Sequence, residues 1–200
     1  MIEDIIRITG LSESEILGAY VFGSRVYGTH TKESDIDIIL ITNHLPNGTE
    51  IRNGLYNIQV LSESHFGESL EKNDIKALEC SFAPEWAKLI EFKHRFILNE
   101  VSLRNEISAK VSHSWVKFKK KLAQGDRSIG LKSLFHSLRI ADFGTQVAHE
   151  NRIDFSSSNF IWDEIKYSDL DWPELVRKYK PLLNSRLTTF RKIAPKNVNK

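Results

Sequence analysis

The chain has 200 residues, of which 40% are hydrophobic and 27% charged, and its formal net charge is +2. This composition is typical of a soluble globular protein, and it excludes any argument for nucleic-acid binding from bulk charge. Cys80 is the lone cysteine, which excludes an internal disulfide and leaves zinc without a Cys/His cluster. The first residues do not resemble a signal peptide, and no run approaches the ~20 apolar residues of a membrane span, so we expect a cytoplasmic protein.

The first half of the chain alternates short apolar runs with turn residues. Ser12 and Glu15 have the spacing of a capping box, which predicts the start of a short helix. Apolar, β-compatible runs predict three strands, at 16–22, 36–41 and 55–61. The loop 43–49 separates the last two strands, helical stretches are expected around 63–80, and the segment 85–97 is less regular.

The second half reads mostly as helices. Apolar residues at helical spacing predict three long helices, at 100–122, 128–149 and 172–192. The segment 151–160 is a break, Asp171 is a plausible N-cap, and Pro173 suits an early helical position. Pro181 is expected to kink the last helix.

The segment from Tyr20 to Leu40 carries the residues that point to chemistry. An apolar strand runs into Gly23-Ser24, and a ten-residue connection leads to Asp35 and Asp37 at the opening of a second strand. Side chains at i and i+2 of a strand share a face, so these two carboxylates should stand side by side with their Cα atoms about 6.6 Å apart. Such a pair suits a hard cation, the kind that bridges phosphate oxygens in phosphoryl transfer.

The turn before this pair supplies complementary groups. Gly23 permits close approach of a phosphate to the backbone, and the following amides and the Ser24 hydroxyl can donate to it. Arg25 adds a charge-assisted bond or points to solvent. Taken alone, the acidic pair could be a solvated strand edge, and the Gly-Ser pair a simple turn. Their combination in one segment favours a phosphate- and metal-binding site. A calcium loop is excluded, because Ile38 to Ile41 fills positions that need Gly and oxygen ligands.

Over residues 16–42 the sequence resembles the DNA polymerase β-like nucleotidyltransferase superfamily, whose signature is Gly-Ser, a spacer and Asp-x-Asp. A weaker similarity to bacterial and phage predicted nucleotidyltransferases covers about three quarters of the chain. It rests on three stretches, Asn57-Ile-Gln-Val-Leu, Asn73–Glu79 and Lys132–Arg139.

This resemblance implies an α+β fold with a small mixed β-sheet flanked by helices, followed by a C-terminal helical domain that closes one side of the cleft. We therefore expect a nucleotidyltransferase core over 1–98 and the helical domain over 99–200. The resemblance also implies two divalent ions, Mg²⁺ or Mn²⁺, and a nucleoside triphosphate donor such as ATP. Asp35 and Asp37 would be catalytic and bind metal, while Gly23, Ser24 and Arg25 would bind the nucleotide. The acceptor hydroxyl stays open between RNA, a protein and a small molecule.

One departure from the superfamily pattern concerns a third carboxylate, which members usually carry on a neighbouring strand. The strand 55–61 offers Asn57 and Gln59 instead, and neutral amides cannot act as a carboxylate base. Glu63 and Glu79 are the candidate substitutes. The departure leaves open a catalytically silent nucleotide- or RNA-binding module. A third alternative is an interaction protein from a toxin–antitoxin or phage-defence pair, with the helical half contacting a protein partner.

Basic residues of the second half form further candidates. Lys132, His136 and Arg139 fall on one helical stripe, and we assign Lys132 and His136 to nucleotide binding, with a solvated basic face as the alternative. A lysine cluster at 117–121 is explained by the helix dipole, and RNA contact is its alternative. The four tryptophans are expected in the core rather than as base-stacking platforms; they are Trp86, Trp115, Trp162 and Trp172.

Overall fold

The computed structural model describes residues 1–94 and 96–196, and these form two compact units. The first unit comprises residues 1–97 and the second begins at Leu98. The architecture is α+β, as the sequence predicted: a five-stranded mixed sheet with helices, then a helical region. Among the described residues, no helix is long and apolar enough to cross a bilayer.

The sheet of the first unit has the strand order β3-β4-β2-β1-β5. Its strands are β1 (Gly18–Phe22), β2 (Ile36–Ile41), β3 (Glu50–Asn53), β4 (Tyr56–Leu61) and β5 (Lys88–Ile90). Strands β2 and β4 are parallel, and the other neighbours are antiparallel. The three predicted strands are thus confirmed. The short edge strands β3 and β5 were not predicted.

Three helices belong to the same unit as this sheet. They are α1 (Ile2–Thr9), α2 (Glu63–Glu71) and α3 (Ile75–Ser81). Phe66 of α2 stacks on Tyr20 with ring centroids 6.3 Å apart, so α2 covers the face that carries Tyr20. Side chains alternate along a strand, and the register therefore puts Asp37 and Asn57 on that same face. The predicted capping box at Ser12 and Glu15 is present, and the short helix that it opens is a single 3-10 turn.

The second unit contains the long helices α4 (Glu100–Ala123), α5 (Arg127–Glu150) and α7 (Trp172–Ile193), and the shorter α6 (Asn159–Lys166). Three residues join α4 to α5, so the two helices run antiparallel as neighbours. Gly144 permits their close approach, since a Cβ there would lie 2.9 Å from Ile107. Asp171 caps α7 as predicted, and α7 continues through Pro181. The expected break at 151–160 is shorter than predicted, because α6 begins at Asn159.

Three of the four predicted core tryptophans are half-buried against other aromatic rings, and none of the four is fully buried. Phe118 packs against Trp172 with ring centroids 4.8 Å apart, Trp115 lies 6.5 Å from Trp172, and Trp162 contacts Phe135. Trp86 was predicted to be a core residue, and this was wrong: it is 58% exposed. It stands in a one-turn 3-10 helix, Glu85–Ala87, where only Ala87 faces the interior.

Candidate active site

The turn after β1 is built on Gly23. Its φ of 74° lies in the left-handed region, which favours glycine. The carbonyl of Gly23 accepts hydrogen bonds from the amides of Val26 and Tyr27, at 3.0 and 3.1 Å, and this closes a 3-10 turn over Gly23–Arg25. The carbonyl of Ser24 accepts from the amide of Thr29 at 2.9 Å. These bonds fold the chain back immediately after the strand.

Asp37 lies directly against this turn. It pairs with Phe22 across β1 and β2, which places it beside the residue where β1 ends. A Cβ atom at Gly23 would stand 2.5 Å from Oδ2 of Asp37, so the carboxylate occupies space that only a glycine leaves open. Gly23 and Asp37, which are 14 residues apart in the sequence, are therefore in direct contact.

Asp35 immediately precedes β2 and is exposed, whereas Asp37 is half-buried. Arg25 holds the chain at this point: its Nη2 donates to the carbonyl of Ser34 at 2.8 Å and its Nε to the carbonyl of Asp35 at 3.2 Å. The guanidinium thus links the Gly23–Arg25 turn to the backbone that carries the acidic pair. Its predicted role in nucleotide binding stays a prediction, and this positioning role was not foreseen.

Asn57 contacts Asp37 from the neighbouring strand. The two residues are in register between β2 and β4, and Nδ2 of Asn57 donates to Oδ1 of Asp37 at 3.0 Å. Oδ1 of Asn57 is buried and has no hydrogen-bond partner among the described residues. A neutral amide therefore occupies the strand position at which the sequence comparison anticipated a third carboxylate.

Two cations flank Asn57. Two residues further along the same face of β4, Gln59 accepts a 2.7 Å hydrogen bond from Nζ of Lys76 on α3. On the neighbouring strand β3, Arg52 is in register with Asn57 and pairs with Glu50 at 2.9 Å. The hydrogen bond and charge of Glu50 raise the pKa of Arg52, and the charges of Asp35 and Asp37 add to this effect. Sequence reasoning missed both cations, because the sheet register brings Arg52 to this face and the packing of α3 brings Lys76 there.

The two substitute carboxylates lie in different places. Glu63 accepts a hydrogen bond from Asn43, which follows the far end of β2. That end is four residues beyond Asp37, or about 13 Å along the strand. Glu63 therefore does not join the acidic pair.

Glu79 lies on α3 and is 3% exposed. Its Oε2 accepts a 2.6 Å hydrogen bond from the hydroxyl of Tyr27, in the loop that follows Gly23. Among residues 1–94 and 96–196, no group of three or more His, Cys, Asp or Glu side chains is arranged to hold a metal ion. Glu79 thus supports the loop rather than completing a third-carboxylate cluster.

The oxygen atoms of Asp35, Asp37 and Asn57 fit one divalent cation. Mg²⁺ prefers oxygen ligands and is often bound through one or two carboxylates together with substrate phosphates. Asp35 and Asp37 supply the carboxylates. The buried Oδ1 of Asn57, which has no hydrogen-bond partner within residues 1–94 and 96–196, is a further oxygen acceptor beside them, and such an atom fits a cation or its water ligand.

The predicted basic stripe on α5 belongs to the second unit. Lys132 is exposed, whereas Arg139 is 4% exposed and lies over the ring of Phe143, 5.0 Å from its centroid. The stripe is therefore not a continuous solvated face. Burial and then nearby positive charges, that of Arg139 foremost, lower the pKa of His136 to about 3. His136 is neutral near pH 7, and the assignment of Lys132 and His136 to nucleotide binding stays a prediction.

Residues 3–101 match the family model described as polymerase beta, nucleotidyltransferase. The chain therefore carries a nucleotidyltransferase domain of the DNA polymerase β-like superfamily. Among solved structures, the chain is similar to a nucleotidyltransferase-like protein from Exiguobacterium sibiricum 255-15, with 12% identity and a TM-score of 0.35. That match covers 97% of this chain and 74% of the other. No curated protein matches the chain at a significant level.

Proposed function

We propose that this protein transfers a nucleoside monophosphate from a nucleoside triphosphate to an acceptor hydroxyl. The observation that carries the proposal is the contact between Gly23 and Asp37, which sets a carboxylate against a turn suited to phosphate. The amides and the Ser24 hydroxyl of such a turn can donate to the β,γ-phosphates, and an acidic pair beside it can hold a divalent cation. The family match of residues 3–101 supports the same class of reaction.

Each group has a defined task in this reaction. Gly23 and Ser24 bind the β,γ-phosphates, while Asp35 and Asp37 hold Mg²⁺ or Mn²⁺. When bound, the ion neutralises charge that develops on the phosphate oxygens. The bond between the acceptor oxygen and the α-phosphorus forms as the bond from that phosphorus to pyrophosphate breaks, and the acceptor proton passes to solvent. Arg25 keeps the acidic pair aligned with the turn through its bonds to Ser34 and Asp35.

A second candidate function is a nucleotide-binding module without turnover. The hydrogen bond from Asn57 to Asp37 favours it, because the amide adds no negative charge and no base. This candidate retains triphosphate binding at Gly23 and Ser24 and lacks nucleotidyl transfer.

Transfer of an α-phosphate label separates the two candidates. The protein is incubated with each α-labelled ribonucleoside triphosphate, with Mg²⁺ or Mn²⁺, and with cell extract fractionated into RNA, protein and small molecules. Labelling of one fraction that is absent with Asp35→Asn supports transfer and identifies the acceptor class. Triphosphate binding without labelling of any fraction supports the binding module instead.

A further inference from the structure

The resemblance to the superfamily implies two divalent ions, but the residues around Asp37 do not fit a pair. Two dications in such a site lie about 3.5–4 Å apart and repel each other four times as strongly as two single charges at that distance. Carboxylates offset this repulsion. The described residues supply an acidic pair here and no cluster of three.

Asn57 stands where a further negative charge would be needed. Its Nδ2 donates to Oδ1 of Asp37 at 3.0 Å, so an N–H group already occupies one side of that carboxylate. An N–H donor and a metal ion compete for the same oxygen lone pairs. The amide thus removes both the charge and part of the coordination space for a second ion.

Two cationic side chains also lie near Asn57. Lys76 reaches Gln59, on the same face of β4, and Arg52 lies opposite Asn57 on β3. Glu50 is the carboxylate in register with Gln59, and it is paired with Arg52 at 2.9 Å. A second dication at this position would meet the charge of Lys76, while Glu50 is already paired with Arg52.

We infer that the site binds a single divalent cation together with the triphosphate, and that Asn57 is the residue that excludes a second one. The ion is held by Asp35 and Asp37 and shared with the phosphates of the donor. The inference rests on the proposed function, because it assumes that the acidic pair binds a metal–triphosphate complex. Beyond that function, Asn57 on β4 determines the number of bound ions.

Counting bound Mn²⁺ tests this inference without measuring activity. The folded protein is mixed with a substoichiometric triphosphate analogue whose α,β-bridging oxygen is replaced by a methylene group. Mn²⁺ is then titrated, with free ion measured by electron paramagnetic resonance and heat by calorimetry. The expected counts are one ion per bound analogue for the wild-type protein and two for Asn57→Asp. Asn53→Asp is the matched control: it adds the same charge on β3 but on the opposite face, and its count should remain one.

Each outcome bears on the inference. Two ions in the wild-type protein overturn it and leave the proposed function intact. No bound ion in the wild-type protein overturns both the inference and the metal role of the acidic pair. One ion in a folded Asn57→Asp variant, with its fold checked by circular dichroism, shows that Asn57 does not set the number. Even if Asn57→Asp fails to fold, the ion count of the wild-type protein decides whether the site binds a single cation.

Discussion

Gly23 and Asp37 approach each other so closely that a Cβ atom at position 23 would stand 2.5 Å from Oδ2 of Asp37. The glycine is also held at a φ of 74°, so it meets two requirements at once. It lets the chain turn back after β1, and it leaves room for a carboxylate beside the turn. This contact unites the Gly-Ser and Asp-x-Asp parts of the signature in one place.

Gly23→Ala should weaken Mn²⁺ binding, because the added methyl group displaces Asp37. We expect a loss of roughly 10- to 100-fold in affinity, comparable to losing a partner that orients a ligand. Gly48→Ala is the matched control, since Gly48 has a φ of 83° and open space around it. Both variants should lose about 1–2 kcal/mol of stability from the left-handed backbone. Equal Mn²⁺ affinity in calorimetric titrations of the two variants would contradict the assigned contact.

Arg25→Met should weaken Mn²⁺ binding with little effect on the melting temperature. The guanidinium bonds to the carbonyls of Ser34 and Asp35 keep the acidic pair aligned, and losing them should cost roughly tenfold in affinity. Arg7→Met serves as the control, because Arg7 is 76% exposed and pairs with Asp4 in α1, away from the acidic pair. An Arg25→Met variant that binds Mn²⁺ as the wild-type protein does would show that Arg25 does not position the pair.

Tyr27→Phe should destabilise the fold by about 1–3 kcal/mol, because it removes a donor from the buried carboxylate of Glu79. Tyr56→Phe removes a comparable hydroxyl, which donates to the half-exposed Asp4 at 2.9 Å. Water replaces that bond, so its cost should stay below about 1 kcal/mol. Denaturant unfolding of both variants measures the difference. Similar losses of unfolding free energy in the two variants would indicate that the Tyr27–Glu79 hydrogen bond stabilises the fold no more than the Tyr56–Asp4 bond does.

Acidification should destabilise the second unit through His136. Its pKa falls to about 3 in the folded protein, so between that value and the ordinary value of about 6.5 the unfolded chain binds more protons. The stability contributed by the neutral imidazole is therefore present above pH 6.5 and is lost as the pH falls toward 3. His136→Gln should reduce the loss between pH 7 and pH 4 by about 1–3 kcal/mol. Parallel pH profiles of unfolding free energy for the two proteins would contradict the lowered pKa of His136.

The sequence predicted the strands that carry strong signals and missed those that do not. Ile36–Ile41 is rich in β-branched residues and bounded by polar ones, and β2 has the predicted limits. Glu50–Asn53 contains three polar residues of four and becomes β3 only by pairing with β4. Helix α1 was missed although Ile2, Ile5 and Ile6 have helical spacing, because its eight residues are fewer than the stretch over which a helical period is counted.

The residues of the candidate site could be predicted from the sequence, but the side chains that contact them could not. The positions of Gly23, Asp35 and Asp37 follow from local strand and turn patterns. The bond from Asn57 to Asp37 depends on the parallel register of β2 and β4, which joins residues 20 apart and leaves no local signal. Lys76 likewise reaches the face of β4 only through the packing of α3 on the sheet.

The most direct test of the central claim is release of pyrophosphate from a nucleoside triphosphate. The four ribonucleoside triphosphates are supplied in turn with Mg²⁺ or Mn²⁺ and an acceptor-containing extract, for the wild-type protein and for Asp35→Asn and Asp37→Asn. The account predicts metal-dependent release by the wild-type protein and none by the two variants, both of which should remain folded. Release that persists undiminished in folded Asp35→Asn and Asp37→Asn variants, or no release by the wild-type protein with any of the four, would contradict it.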